Sequence, residues 1–220
     1  MGNESVRVGV VDSGCAPTQV LVGGQRFWLE DGVLCTGELQ PDRLGHGSAV
    51  LACLQPQAAG VPVLLAQVFT EQGSTSALQV GAALFWLAEQ GARVINLSLG
   101  LRQDRPVLRQ ACAEVQAAGV LLCASSPAQG APVYPASYPG VIRVTGDARC
   151  APGQWSWLGT AQADFGGPVG SPGMAGASLG CAALAGRIVA LLQQRPGLER
   201  EQVVAWLKAH AAYTGPERRA

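Results

Sequence analysis

Apolar residues recur along this chain in two alternating rhythms. Short valine-rich runs, Val6 to Val11, Val63 to Val68, Val94 to Leu99, Val120 to Ala124 and Val141 to Val144, predict strands buried on both faces. Between them, residues 76 to 90, with Leu78, Ala82, Leu84, Leu87 and Ala88, and residues 106 to 118 carry helical spacing. Strands alternating with helices of this length predict βαβ crossovers: an α/β fold in three layers, with a mostly parallel central sheet and helices on both faces.

Three segments depart from that rhythm. Residues 25 to 35 predict a hairpin about Asp31-Gly32. Trp155 to Pro172, rich in glycine and aromatics, predicts a second hairpin and a loop. The apolar run Ala182 to Leu192, preceded by Gly-Ala-Ser-Leu-Gly-Cys at 176 to 181, predicts a buried helix with Ser178 in its first turn. Unpaired backbone N–H groups there favour negative charge. Gly45-His46-Gly47-Ser48 opens a short helix through Cys53, and Glu201 to Ala211 forms a last amphipathic helix. The tail from Tyr213 to Ala220 is expected to fray. No repeat or linker divides the 220 residues, so residues 1 to 220 are read as one domain.

Composition narrows the function classes. A 48% hydrophobic, 14% charged chain builds a large core rather than a disordered one. Net charge is zero with no Lys/Arg cluster, which argues against nucleic acid as partner. Seven cysteines without a C-x-x-C pair suggest a reducing compartment. No basic patch leads a signal-like stretch, and no apolar run reaches membrane length uninterrupted, so the expected location is cytoplasmic with no membrane partner.

The candidate chemistry sits at element ends. Asp12 follows the first strand, where a turn aspartate is also common. His46, one of two histidines, stands in a glycine frame at a helix start. That helix start is expected to depress its pKa and keep the ring a neutral base. Ser178 alone could simply cap its helix. The three motifs V-V-D-S-G, G-H-G-S and G-A-S-L-G occur in the order Asp, His, Ser.

On these motifs the chain resembles the subtilisin family of serine proteases from Val6 to about Leu192. Val94 to Gly100 is similar to the family's substrate-binding edge strand, Tyr134 to Gly146 to its stretch after the oxyanion loop, and Ala163 to Gly170 to the approach to its serine. The resemblance implies a three-layer subtilisin-like fold with Ser178 as nucleophile, His46 as base and then acid, and Asp12 orienting His46. It places an extended peptide along Ser98, Leu99 and Gly100 by β-augmentation, with Ser125 and Ser126 beside it. It implies no cofactor, and no Asp/Asn-rich loop offers the oxygen ligands of a calcium site.

Two departures matter. Where the family reads Gly-Asn in its oxyanion loop, this chain has Pro127 and Ala128, so the usual side-chain donor is missing. Gln129, Ser126 or a backbone N–H must join the Ser178 amide in its place, and Gln129 is the preferred candidate. Val133 replaces a common glycine at the base of the primary pocket, predicting a small residue before the cut.

A weakened oxyanion loop in an intracellular protease suits limited proteolysis. The economy of the chain resembles the small bacterial members that remove a leader, as in maturation of the cross-linked subunit of quinohaemoprotein amine dehydrogenase. Leader removal from a modified peptide or small subunit is the expected role, with other maturation proteins as further partners. The alternative is a pseudoprotease that holds an extended peptide without efficient cleavage. A thiol mechanism through Cys181, one helical turn from Ser178, is the third option.

Overall fold

The computed structural model describes residues 6–170 and 176–217. Ser171 and Pro172 of the expected loop, and 218–220 of the expected tail, lie outside the described residues.

The valine-rich runs form a parallel core of strands: β1 (Arg7–Asp12), β4 (Val63–Gln67), β5 (Ala92–Leu97), β6 (Leu121–Ser125) and β7 (Ile142–Gly146). Two hairpins extend it. β2 (Gly23–Glu30) and β3 (Val33–Gly37) turn through Asp31 at φ 50° and Gly32 at φ 79°, the positive pair that matches strand twist. β8 (Ser156–Trp157) pairs antiparallel with β9 (Phe165–Gly167). With β10 (Tyr213–Thr214) at one edge, the described residues form one ten-stranded sheet, in the order β10-β8-β9-β7-β6-β5-β1-β4-β2-β3.

Its last member corrects an expectation. Tyr213–Thr214 is not frayed but forms β10, paired parallel with β8, and Arg149 donates to the Gly215 carbonyl at 2.8 Å. A two-residue strand has no periodicity of its own, and its partner creates it.

Helices cover both faces. α1 (His46–Leu54), α4 (Gly176–Gln194) and α5 (Arg200–Ala209) bury one, packing on Val8, Val10 and Leu65. α2 (Ala77–Glu89) and α3 (Pro106–Ala117) bury the other, on Val11, Leu64 and Ile95. Neighbouring valines of β1 thus serve opposite cores, which is why the run lacks alternation.

α4 is long and apolar enough to cross a bilayer by length and composition, yet 72% of its apolar window is buried within the protein. It is the helix at the centre of its layer. Small residues let it approach: a Cβ on Gly186 would lie 2.6 Å from the Leu54 carbonyl oxygen of α1, and one on Gly180 would lie 2.6 Å from that of Thr145.

The order of strands locates the site. β1 is flanked by β4 on one side and β5 on the other, so the chain leaves β1 in one direction and returns past it to continue in the other. At such a switch point the connections diverge and open a crevice at the carboxyl ends of the strands. Asp12 ends β1 beside that crevice, and Ser98 directly follows β5 there.

Candidate active site

Asp12 is fully buried, and its Oδ1 accepts from the Ser13 amide at 2.7 Å and from His46 Nδ1 at 2.8 Å. A carboxylate can only accept, so Nδ1 carries the proton and Nε2 is left as the basic nitrogen.

The loop that delivers His46 is organised by a residue that the sequence reading missed. Asp42 accepts from the Ser13 hydroxyl at 2.8 Å, the Gly45 amide at 3.0 Å, and the Ser48 amide and hydroxyl at 2.8 and 2.6 Å. It therefore caps α1 from outside, while Gly45 at φ 68° turns the chain into the helix. Ser13 Oγ in turn accepts from the Gly47 amide at 2.9 Å, tying α1 to the residue next to Asp12. A Cβ at Gly47 would sit 2.1 Å from the Gly14 carbonyl oxygen, so only glycine permits this approach. The one local signal was an aspartate three residues ahead of the glycine that opens a helix.

These carboxylates overturn the expected effect on His46. Its pKa is raised, first by the hydrogen bond to Asp12; burial opposes this, and the charges of Asp12 and Asp42 add to the rise. The helix start was expected to lower it. Two nearby carboxylates outweigh the partial charge of one helix end. Burial pushes the Asp42 carboxyl upward, but the bonds from Ser48, Ser13 and Gly45 outweigh it and hold the group below its ordinary value.

Ser178 is the third residue of α4 and only 6% exposed. Its hydroxyl is not a helix cap: Oγ donates to the Ser98 carbonyl at 3.4 Å, and its own carbonyl accepts from Ser98 Oγ at 3.0 Å. Asn96 Nδ2, also missed from the sequence, donates to Ser98 Oγ at 2.9 Å. This leaves the Ser98 proton free to hold the first turn of α4.

Convergence of the three candidates follows from register. Val11 pairs with Leu97 across β1 and β5, so Asp12 and Ser98 are the next residues on adjacent strands, about 4.8 Å apart. Ser178 is bonded to one and His46 to the other. Where α1 and α4 touch, Leu54 and Gly186 stand equally far along their helices from His46 and Ser178. Both side chains therefore rise from the same rim. No hydrogen bond joins His46 to Ser178 among the described residues; the serine hydroxyl is turned to Ser98.

Beside Ser178 the chain offers an edge. Leu101 exchanges both backbone bonds with Tyr134, at 2.7 and 2.9 Å, so the N–H and C=O of Gly100 project the opposite way. Leu99 contributes only backbone to this edge, because its side chain is 5% exposed and packed in the core. Ser125 Oγ donates to the Leu99 carbonyl at 3.4 Å. Val133 lies against Gly100, its Cβ 3.1 Å from where a Gly100 Cβ would be.

The oxyanion candidates separate. Ser126 Oγ donates to the Gln162 carbonyl at 2.7 Å, so its proton is engaged there in this structure. Gln129 is exposed and borders, with Ala128, Thr145 and Gly146, an open cavity of about 820 Å³. Cys181 is fully buried, and burial pushes its thiol pKa well above the ordinary value, which removes the thiol option.

The chain is similar to several known proteases. Subtilisin DY of Bacillus licheniformis is 30% identical over 159 residues, 64% of this chain and 56% of that protein. The thermostable alkaline protease of Halalkalibacterium halodurans is 28% identical over 151 residues, 63% of this chain and 40% of that protein. The chain thus spans about half the length of these curated relatives. Among solved structures, a cold-adapted subtilisin-like serine proteinase superposes with a TM-score of 0.70 at 21% identity, covering 96% of this chain and 85% of that one. A lanthipeptide protease does so with a TM-score of 0.70 at 18% identity, covering 91% and 79%. The family model for Peptidase_S8, the subtilase family, matches residues 3–220, and the chain belongs to that family.

Proposed function

We propose that this protein is a serine endopeptidase that performs limited proteolysis, removing a leader from a modified peptide or small subunit. The observation that carries the reading is the bond from His46 Nδ1 to buried Asp12, which leaves Nε2 as a base at the rim where Ser178 sits. Ser178 Oγ gives its proton to Nε2 and attacks the scissile carbonyl, and His46 returns the proton to the leaving amine. Water then releases the acyl group by the same route. The Ser178 amide and the Gln129 side chain receive the oxyanion. Ala128 is the feature that favours a groove without turnover, and intact Asp12, His46 and Ser178 weigh against it. Incubation with leader-bearing peptides and mass spectrometry of the fragments tests the role: a single cut at the leader boundary is expected, and digestion at many sites contradicts it.

The pocket makes its own prediction. With Val133 against Gly100, the residue before the cut should be small. Val133→Gly should raise kcat/KM for peptides with Phe before the cut by about 10-fold or more relative to Ala, the scale expected for pocket volume. An unchanged Phe-to-Ala ratio contradicts the assignment.

The raised His46 pKa gives opposite slopes for activity and stability. Turnover needs the neutral ring, so kcat/KM should rise with pH through an inflection above histidine's ordinary ~6.5. Asp42→Asn removes one of the charges that raise it and should move that inflection down. The protonated His46–Asp12 pair, by contrast, contributes stability fully below about pH 6.5, where the unfolded ring is also protonated, and loses it as pH climbs through the raised folded value. Urea unfolding across pH should show that decline, and His46→Ala should flatten it.

A further inference from the structure

Resting on the endopeptidase reading, we propose that a cationic subsite at Arg102 and Arg105 recognises an acidic residue three to five positions before the scissile bond.

The edge that offers Gly100 to a peptide continues into Leu101, Arg102 and Gln103. Because Leu101 faces Tyr134, the backbone of Gly100 points to the open side, and a peptide strand added there runs on toward Arg102, where the chain bends. Val133, expected at the base of the pocket for the residue before the cut, packs against Gly100, so this stretch holds the upstream part of the substrate. Ser98 is bonded to Ser178, and Arg102 lies four residues further on, at most about 13 Å away along the chain. Substrate residues three to five before the cut are level with it.

At that level a cavity of about 370 Å³ lies between the edge and the start of α2, lined by Thr75, Ser76, Leu101, Arg102, Gln103 and Arg105. Among the described residues no acidic side chain lines it. Its nearest carboxylate in sequence, Asp104, is engaged with Arg109 and with the Tyr138 hydroxyl. Arg105 donates to Gln103, a neutral partner that leaves its charge uncompensated. Thr75 and Ser76 add neutral, uncharged lining on the side of α2. The 13-residue α2 has no acidic residue in its first turn, so its positive end adds to the field. Two guanidinium groups beside a helix start suit a carboxylate, and an extended peptide delivers it as Asp or Glu.

The test uses alanine-based dodecapeptides carrying one Glu, or one Gln, at successive positions. Binding is measured with Ser178→Ala protein and cutting with the wild type. Glu peptides should bind about 10-fold more tightly than their Gln counterparts. The cut should follow the Glu at a fixed distance of three to five residues as the Glu is moved. Arg102→Glu combined with Arg105→Glu should abolish both effects and favour a Lys-bearing peptide instead. Equal binding of Glu and Gln peptides, or a cut indifferent to the Glu, overturns the subsite while leaving the endopeptidase reading intact. Glu-selective binding without any cutting supports the subsite and counts against the endopeptidase reading.

Discussion

Replacing Ser178 with alanine should lower kcat by about 10⁶-fold, and His46→Ala should cost about as much, because the two act as one unit. The double variant should be little worse than either single one. That non-additivity is the informative part. A serine and a histidine with separate structural duties would give losses that add, since distant independent effects do. The fold should survive both changes. Ser178→Ala removes a 3.4 Å bond to the Ser98 carbonyl but leaves the stronger link, Ser98 Oγ to the Ser178 carbonyl at 3.0 Å, in place. Measured above the His46 inflection, where the charged pair no longer contributes, urea midpoints near that of the unaltered protein would show that turnover, not folding, has been lost.

The second large effect belongs to Asp12→Asn, expected to lower kcat by about 10⁴-fold near neutral pH. Asp12 Oδ1 accepts from both the Ser13 amide and His46 Nδ1. An asparagine oxygen in the Oδ1 place keeps both bonds but carries no charge to stabilise the imidazolium. With the amide turned the other way, its protons meet Nδ1 and the imidazole flips to the tautomer that puts its proton on Nε2. The base is then protonated where it must be free. The same substitution removes the main cause of the raised His46 pKa, so the residual activity should titrate at lower pH. Loss of activity with no shift of the inflection would mean that Asp12 does not face the ring in the working enzyme.

The fold and the three candidate residues were legible because each has a local signature. Valine runs mark strands buried on both faces, and glycine frames mark His46 and Ser178 at helix starts. What the sequence hid is made by tertiary contact. Asp42 looks like any loop aspartate until the fold brings Ser13 and Ser48 to its two oxygens. Asn96 reads as one polar residue in an apolar strand, and its role exists only because Ser98 shares its face and α4 lies above. The shift on His46 was misread for the same reason: a helix end can be inferred from neighbours in sequence, whereas Asp42 and Asp12 reach the ring through space. Tyr213–Thr214 was taken for a loose end because β8, which orders it, lies far back in the chain. Ser126 reads as an oxyanion donor in sequence, and only the fold brings the Gln162 carbonyl to its hydroxyl.

The account stands on Ser178 being an activated nucleophile, which labelling by a fluorophosphonate reports directly. Mass spectrometry of the modified protein should place the adduct on Ser178, forming faster as pH rises through the His46 inflection and absent from Ser178→Ala and His46→Ala. A folded protein that takes up no label at any pH, or labels equally well without His46, would contradict it.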